Sequence, residues 1–326
     1  MLEKPGRKRV LWGVLLFLAI SLGVSAVWGW LWFQNNKQTL IFIGRGHLRN
    51  VRLLAWDPSR RVSFQVGGLR IEGSLYSGRR STRGPALVLL HGSSRPARKE
   101  ALIQVLARKF YERGYAVLTF DFQGYGESED PSDHHQAGAF DFVQDTHKAL
   151  DFLLAQPGID PERLYFLGHS LGAGVALALQ SEDSRVKKMV LVGPPRRLKA
   201  QFLQAGESDQ RRWLSEWEAD MKRSTPLNLQ LKLDSYRRFD IEEYIPQFQK
   251  PGHLPLFIIQ SGREDPEDQA FLEKVVAQMT PEVHYWNIPR TDHYLNTRLI
   301  GRLPFYNMQI MDPFVQRVDQ WLREPR

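Results

Sequence analysis

From residue 61 onward the apolar and polar positions switch between two periods. "RVSFQV" and "LRIEGSLY" alternate in the manner of half-buried strands, with Gly67-Gly68 as the turn between them. "ALVLLHG" (86–92) is a continuous apolar run, the pattern of a strand covered on both faces. Residues 99–113 then place Ala101, Leu102, Val105, Leu106 and Phe110 on one helical side. The rhythm repeats with a strand at 115–121, a helix over 138–156, a strand in "LYFLG", a helix over 171–181 and a strand in "KKMVLVG". After an interruption it resumes with strands at 256–262 and 283–288, a helix near 267–279 and a last helix near 312–323. Alternating apolar strands and amphipathic helices predict an α/β fold: a mostly parallel central sheet with helices on both faces.

The interruption, residues 194–255, is charged and rich in aromatics. Trp213, Leu214, Trp217 and Met221 share one helical face, and Leu227, Leu229, Leu231 and Leu233 alternate in an extended pattern. An insertion between late strands lies over the strand ends, where open α/β sheets bind ligands.

The amino-terminal sixty residues read differently. Residues 10–33 carry no charge, and at about 1.5 Å per residue a helix of this length crosses a hydrocarbon core of roughly 30 Å. Trp28, Trp30 and Trp32 gather at one end and Lys4, Arg7, Lys8 and Arg9 at the other. The expected organisation is a basic tail (1–9), a transmembrane anchor (10–33), a connector (34–60) and a domain over 61–326. The basic tail favours the cytoplasm, which puts the domain on the extracytoplasmic side. A cleaved signal peptide is the alternative, with Val24-Ser25-Ala26 as its processing site.

Charge and composition sharpen this picture. The net charge is +8, and residues 1–61 hold ten basic and two acidic residues, so the whole excess lies there. The remainder is formally neutral, which argues against a nucleic-acid-binding face on the main domain. The chain has no cysteine, which excludes disulfides, thiolate metal sites and cysteine nucleophiles. His134, His135 and His147 show no metal-ligand spacing, and no cofactor is expected.

The candidate chemistry centres on "LYFLGHSLGAG" (164–174). Gly-x-Ser-x-Gly between a strand and a helix is a nucleophile elbow: the turn is so tight that only small residues fit beside it, and Ser170 is lifted above the sheet. A serine hydroxyl needs a base, and "IPRTDHYLN" supplies His293 after the last strand. The base needs an acid, and "SGREDPEDQ" supplies Asp265, with Glu264 and Asp268 as alternatives. The oxyanion donors are expected from the amide of Leu171 and from Ser93 in the "HGSS" loop. His169 is expected to shape the turn.

In order along the chain, "LLHGSS", "DFQGYGES", "GHSLG", "SGRED" and "DHY" resemble the landmarks of the α/β-hydrolase superfamily over roughly residues 61–325. The resemblance implies that Gly124 and Gly126 close a tight turn beside the site and that 194–255 is a cap or lid. A serine at the nucleophile position excludes the aspartate-nucleophile members. One departure is Asp292, which precedes His293 where glycine is common. The expected activity is hydrolysis of a small-molecule or lipid ester, such as a monoacylglycerol or lysophospholipid, through an acyl-enzyme. A peptidase or thioesterase of the same fold is the alternative, and an inactive binding protein is a further one.

Overall fold

The computed structural model describes residues 17–34 (except 19), 37, 51–77 (except 55), 83–131, 140–180, 182–220 and 238–325. The chain divides into two compact units, Met1–Val51 and Arg52–Arg326. In the first, the described residues 17, 18 and 20–34 are helical, and Phe17, Leu22, Trp28 and Trp30 on this helix are exposed. The expected span of 10–33 begins outside the described residues. Among the described residues no helix is long and apolar enough to cross a membrane.

In the second unit eight strands form one sheet: β1 (Arg60–Val66), β2 (Leu69–Tyr76), β3 (Gly84–Leu90), β4 (Ala116–Phe120), β5 (Ile159–His169), β6 (Lys188–Val192), β7 (Leu256–Ser261) and β8 (Val283–Ile288). Their spatial order is β1-β2-β4-β3-β5-β6-β7-β8. The pairs of β1 with β2 and of β2 with β4 are antiparallel, and those from β4 through β8 are parallel.

Side-chain alternation on the buried strands feeds two cores. Val88 and Leu90 face one with α2 (Phe142–Leu154) and α3 (Leu171–Gln180), and Leu87 and Leu89 face the other with α1 (Ala101–Glu112). The last helix (Met308–Arg323) joins the second core through Met311, Phe314, Val315, Val318 and Trp321. It begins four residues before the expected start and carries Pro313 as its sixth residue, where the ring removes one intrahelical hydrogen bond. A short hairpin, Arg298–Ile300 with Leu303–Asn307, precedes it and was not anticipated.

The insertion connects β6 to β7. It contributes α4 (Leu198–Gln204), α5 (Glu207–Asp220) and short turns over Ile241–Tyr244 and Ile245–Phe248. Trp213 of α5 packs on Phe202 of α4, with ring centroids 5.9 Å apart. Met221 and the alternating leucines at 227–233 lie outside the described residues.

A buried ion pair closes the turn after β4. Asp121 accepts the Arg98 amide at 2.9 Å and the Glu127 amide at 2.8 Å, and its carboxylate is paired with the Arg98 guanidinium. Burial pushes the Asp121 carboxyl up, and Arg98 and the two amides oppose that shift. Gly126, at φ +53°, lies against this carboxylate, and a Cβ there would overlap it. Removing one partner of a buried pair leaves an uncompensated charge. Asp121→Asn is therefore expected to destabilise the protein by about 3–5 kcal/mol, read as a lower denaturation midpoint. Lys99→Gln, which breaks the neighbouring exposed pair with Glu127, will cost less than about 1 kcal/mol.

Candidate functional site

The turn from β5 into α3 holds Ser170 at φ +51°, a conformation that L-residues seldom adopt. Two hydrogen bonds pin the serine backbone: its amide donates to the Val192 carbonyl at 2.9 Å, and its carbonyl accepts from Ala173 at 2.9 Å. The flanking glycines are required by contact. A Cβ on Gly168 would overlap the backbone of Gly172 and Ala173, and one on Gly172 would overlap the Leu90 carbonyl. β3, β5 and α3 can thus approach closely only where these two residues lack side chains.

His293 stands on the loop after β8, and its Nδ1 lies 2.9 Å from Oε1 of Glu264. A carboxylate can only accept, so Nδ1 carries the proton and Nε2 is left as the basic nitrogen. The expected acid, Asp265, is not on the histidine. It is the N-cap of α6 (Pro266–Val276), where its side chain accepts the Glu267 amide at 2.8 Å. The local sequence explains the difference. Asp followed by Pro is a helix start, the proline filling the first helical position and the aspartate satisfying a free amide. Glu264, one residue earlier and one methylene longer, reaches back to His293. Asp268, the other alternative, accepts Gln201 Nε2 at 3.0 Å.

Behind Glu264 stands Arg196, which sequence reasoning did not single out. Its Nη2 donates to Glu264 Oε2 at 2.5 Å and lies 3.3 Å from Asp268 Oδ2. The side chains of Arg196 and Glu264 are each 9% exposed. Burial alone would raise the Glu264 carboxyl, but the hydrogen bond from His293 and the charge of Arg196 outweigh it and hold the group below the usual carboxylate range. Gly193, at φ +55°, leaves room for the pair: a Cβ there would stand 2.9 Å from His293 Cε1 and 3.3 Å from Glu264 Oε1.

Asp292 has a structural task. Its Oδ1 accepts the amides of Tyr294 at 3.0 Å and Asn296 at 2.8 Å, and its carboxylate pairs with Arg298. These bonds tie the His293 loop into one conformation, so the departure from glycine adds an anchor. His169 holds the loop from the other side. Its Nε2 donates to the His293 carbonyl at 2.8 Å, and burial keeps its imidazole neutral.

Ser93 and Leu171 line the same cleft as Ser170, Glu264 and His293. The Ser93 hydroxyl is 2.9 Å from the Tyr125 hydroxyl, and His91 ties this loop to the neighbouring turn. His91 Nδ1 donates to the Gly92 carbonyl at 2.7 Å, and its Nε2 accepts the Phe122 amide at 3.1 Å. Burial pushes the His91 imidazole down to about 4, so it stays neutral in this role. The cleft encloses about 310 Å³. The insertion adds Pro194, Pro195, Leu198 and Gln201 to its wall, and Arg196 of the insertion with Asp268 of the helix after β7 forms a polar side.

Residues 83–245, half of the chain, match the family described as serine aminopeptidase, S33. The chain belongs to this family. Its fold is that of the α/β-hydrolases: an esterase of Pyrococcus furiosus superposes with a TM-score of 0.57 at 20% identity, over 82% of this chain and 94% of that one. Among curated relatives, thiohydrolase aneE of Aspergillus aculeatus is 38% identical over 129 residues, 40% of this chain and 39% of its own length. Polyketide transferase grgF of Penicillium sp is 25% identical over 73% of this chain and 76% of its own. The chain thus spans about two fifths of the first of these relatives.

The Arg196–Glu264 contact has a pH signature. A carboxyl whose folded pKa is depressed contributes stability that is present above its unfolded pKa and is lost as pH falls through the lower folded value. Arg196→Gln removes one cause of the depression. The acid loss of thermal stability is expected to begin at higher pH in this variant, in a series of melting temperatures from about pH 7 to pH 3. An unshifted acid limb would mean that Arg196 does not tune Glu264.

Proposed function

We propose that the protein is a serine hydrolase of carboxylic esters in which Ser170 is the nucleophile, His293 the general base and Glu264 the acid. The observation that carries this reading is the hydrogen bond of His293 Nδ1 to Glu264 in a cleft lined also by Ser170. In this mechanism Ser170 Oγ attacks the ester carbonyl as His293 Nε2 takes its proton. The amides of Ser93 and Leu171 stabilise the developing oxyanion. The imidazolium, held by ionised Glu264, returns the proton to the leaving alcohol, and water then releases the acyl group by the same steps.

The apolar part of the cleft wall (Leu171, Pro194, Pro195 and Leu198) supports an acyl chain as the bound group, and acyl lipids such as monoacylglycerols or lysophospholipids fit that chemistry. A thioester is the second reading, favoured by the relative named a thiohydrolase. The leaving group changes, while the roles of Ser170, His293 and Glu264 do not.

Ser170→Ala is expected to abolish fluorophosphonate labelling and to lower the hydrolysis rate by on the order of 10⁶. Glu264→Gln will cost about 10⁴ in rate, because an amide can hold the imidazole in the wrong tautomer. Asp265→Asn will cost less than about tenfold, since asparagine caps a helix nearly as well. Esters and thioesters of graded chain length identify the substrate class. A Ser170→Ala variant that is still labelled, or an Asp265→Asn variant more damaged than Glu264→Gln, contradicts the assignment.

The proposal includes membrane anchorage through residues 10–33, with the domain on the extracytoplasmic side. Its support is the charge-free run, the basic residues before it and the exposed apolar side chains of the described helix. A reporter active only outside the cytoplasm, fused after Arg326, is expected to be active. A silent reporter, with the domain protected from external protease, reverses the orientation.

A further inference from the structure

Within the unit Arg52–Arg326, four large apolar side chains stand exposed among the described residues: Leu53 (43%), Trp56 (60%), Leu203 (58%) and Leu303 (45%). Two of the four stand together. Trp56 and Leu303 line a common recess of about 210 Å³, together with Leu54, Arg108 and Arg302. Leu54, which lines the same recess, donates its amide to the Pro304 carbonyl at 2.9 Å and so binds this segment to the hairpin that carries Leu303. Leu203 belongs to α4 in the insertion. A clustered apolar patch of this kind marks an interaction surface, whereas a scattered one needs no explanation.

The charge around the patch points to the partner. The Arg108 guanidinium lies 3.9 Å over the Trp56 ring and supports the indole from one side. Arg302 is exposed at the recess, and among the described residues it has no acidic partner. One carboxylate, Asp57, reaches the recess, and its Oδ1 already accepts the Ser59 amide at 2.9 Å. An exposed indole flanked by leucines and arginines suits the boundary between hydrocarbon and anionic headgroups, where indoles settle and arginines keep their charge at the phosphates.

We propose that this face docks on an anionic phospholipid surface, with Trp56 and Leu303 in the interfacial layer and Arg302 at the headgroups. The inference rests on the anchor proposed above.

The absence of cysteine makes the test direct, because a single introduced thiol is labelled uniquely. Full-length Leu303→Cys and Leu203→Cys proteins carrying a nitroxide are reconstituted with vesicles of phosphatidylcholine and phosphatidylglycerol. Collision of the label with oxygen and with a water-soluble nickel complex is then measured. The label at 303 is expected to show a several-fold lower nickel-to-oxygen ratio than the label at 203. Arg302→Glu should abolish that difference while the protein still floats with the vesicles. Floating protein whose 303 label is as wet as its 203 label overturns the docking and leaves the anchor standing. A 303 label shielded equally in detergent without lipid assigns the face to protein contact and also overturns it. Protein that does not float overturns both.

Discussion

The close approach of three backbones at the head of β5 is the constraint on which the site depends. Gly168 and Gly172 let β3, β5 and α3 meet at a distance that no side chain permits, and the cost appears as the left-handed conformation of Ser170. The Val192 carbonyl holds that conformation through the Ser170 amide. Gly193, the next residue after β6, makes room for the His293–Glu264 pair. One strand end therefore serves both sides of the cleft: it steadies the serine and spares the histidine. Strain of this kind persists only where the surroundings over-determine it, and here they do.

Charge placement completes the arrangement. A buried carboxylate beside a histidine is useful only if it stays ionised, and burial works against that. Arg196 supplies the compensation from the inserted segment, so the insertion is coupled electrically to the site. Asp292 and His169 then fix the main chain that carries His293 from opposite sides. The histidine side chain is 35% exposed, and its ring lies against those of His169 and Tyr294.

The parallel sheet and the elbow were legible in the sequence because they rest on local signals. Continuous apolar runs mark doubly covered strands such as β3, and paired glycines around Ser170 mark a turn that excludes bulk. The partner of His293 was less legible. Four carboxylates stand within five residues, Glu264, Asp265, Glu267 and Asp268, and spacing alone does not rank them. The Asp265-Pro266 step was the available signal, since it reads as a helix cap and spends that carboxylate on the backbone. Arg196 gave no local sign, because its role exists only once β6 and β7 lie side by side. The hairpin before the last helix was missed for a related reason: its strands are too short for periodicity to register.

The central claim is that His293 is held by Glu264 through a charge-assisted hydrogen bond from Nδ1. Proton NMR of the folded protein reads this bond directly, as a far-downfield imidazole N–H resonance that exchanges slowly with solvent. The account predicts the resonance in the wild type and in Asp265→Asn, and its loss in Glu264→Gln. A resonance that survives Glu264→Gln and disappears in Asp265→Asn would contradict it.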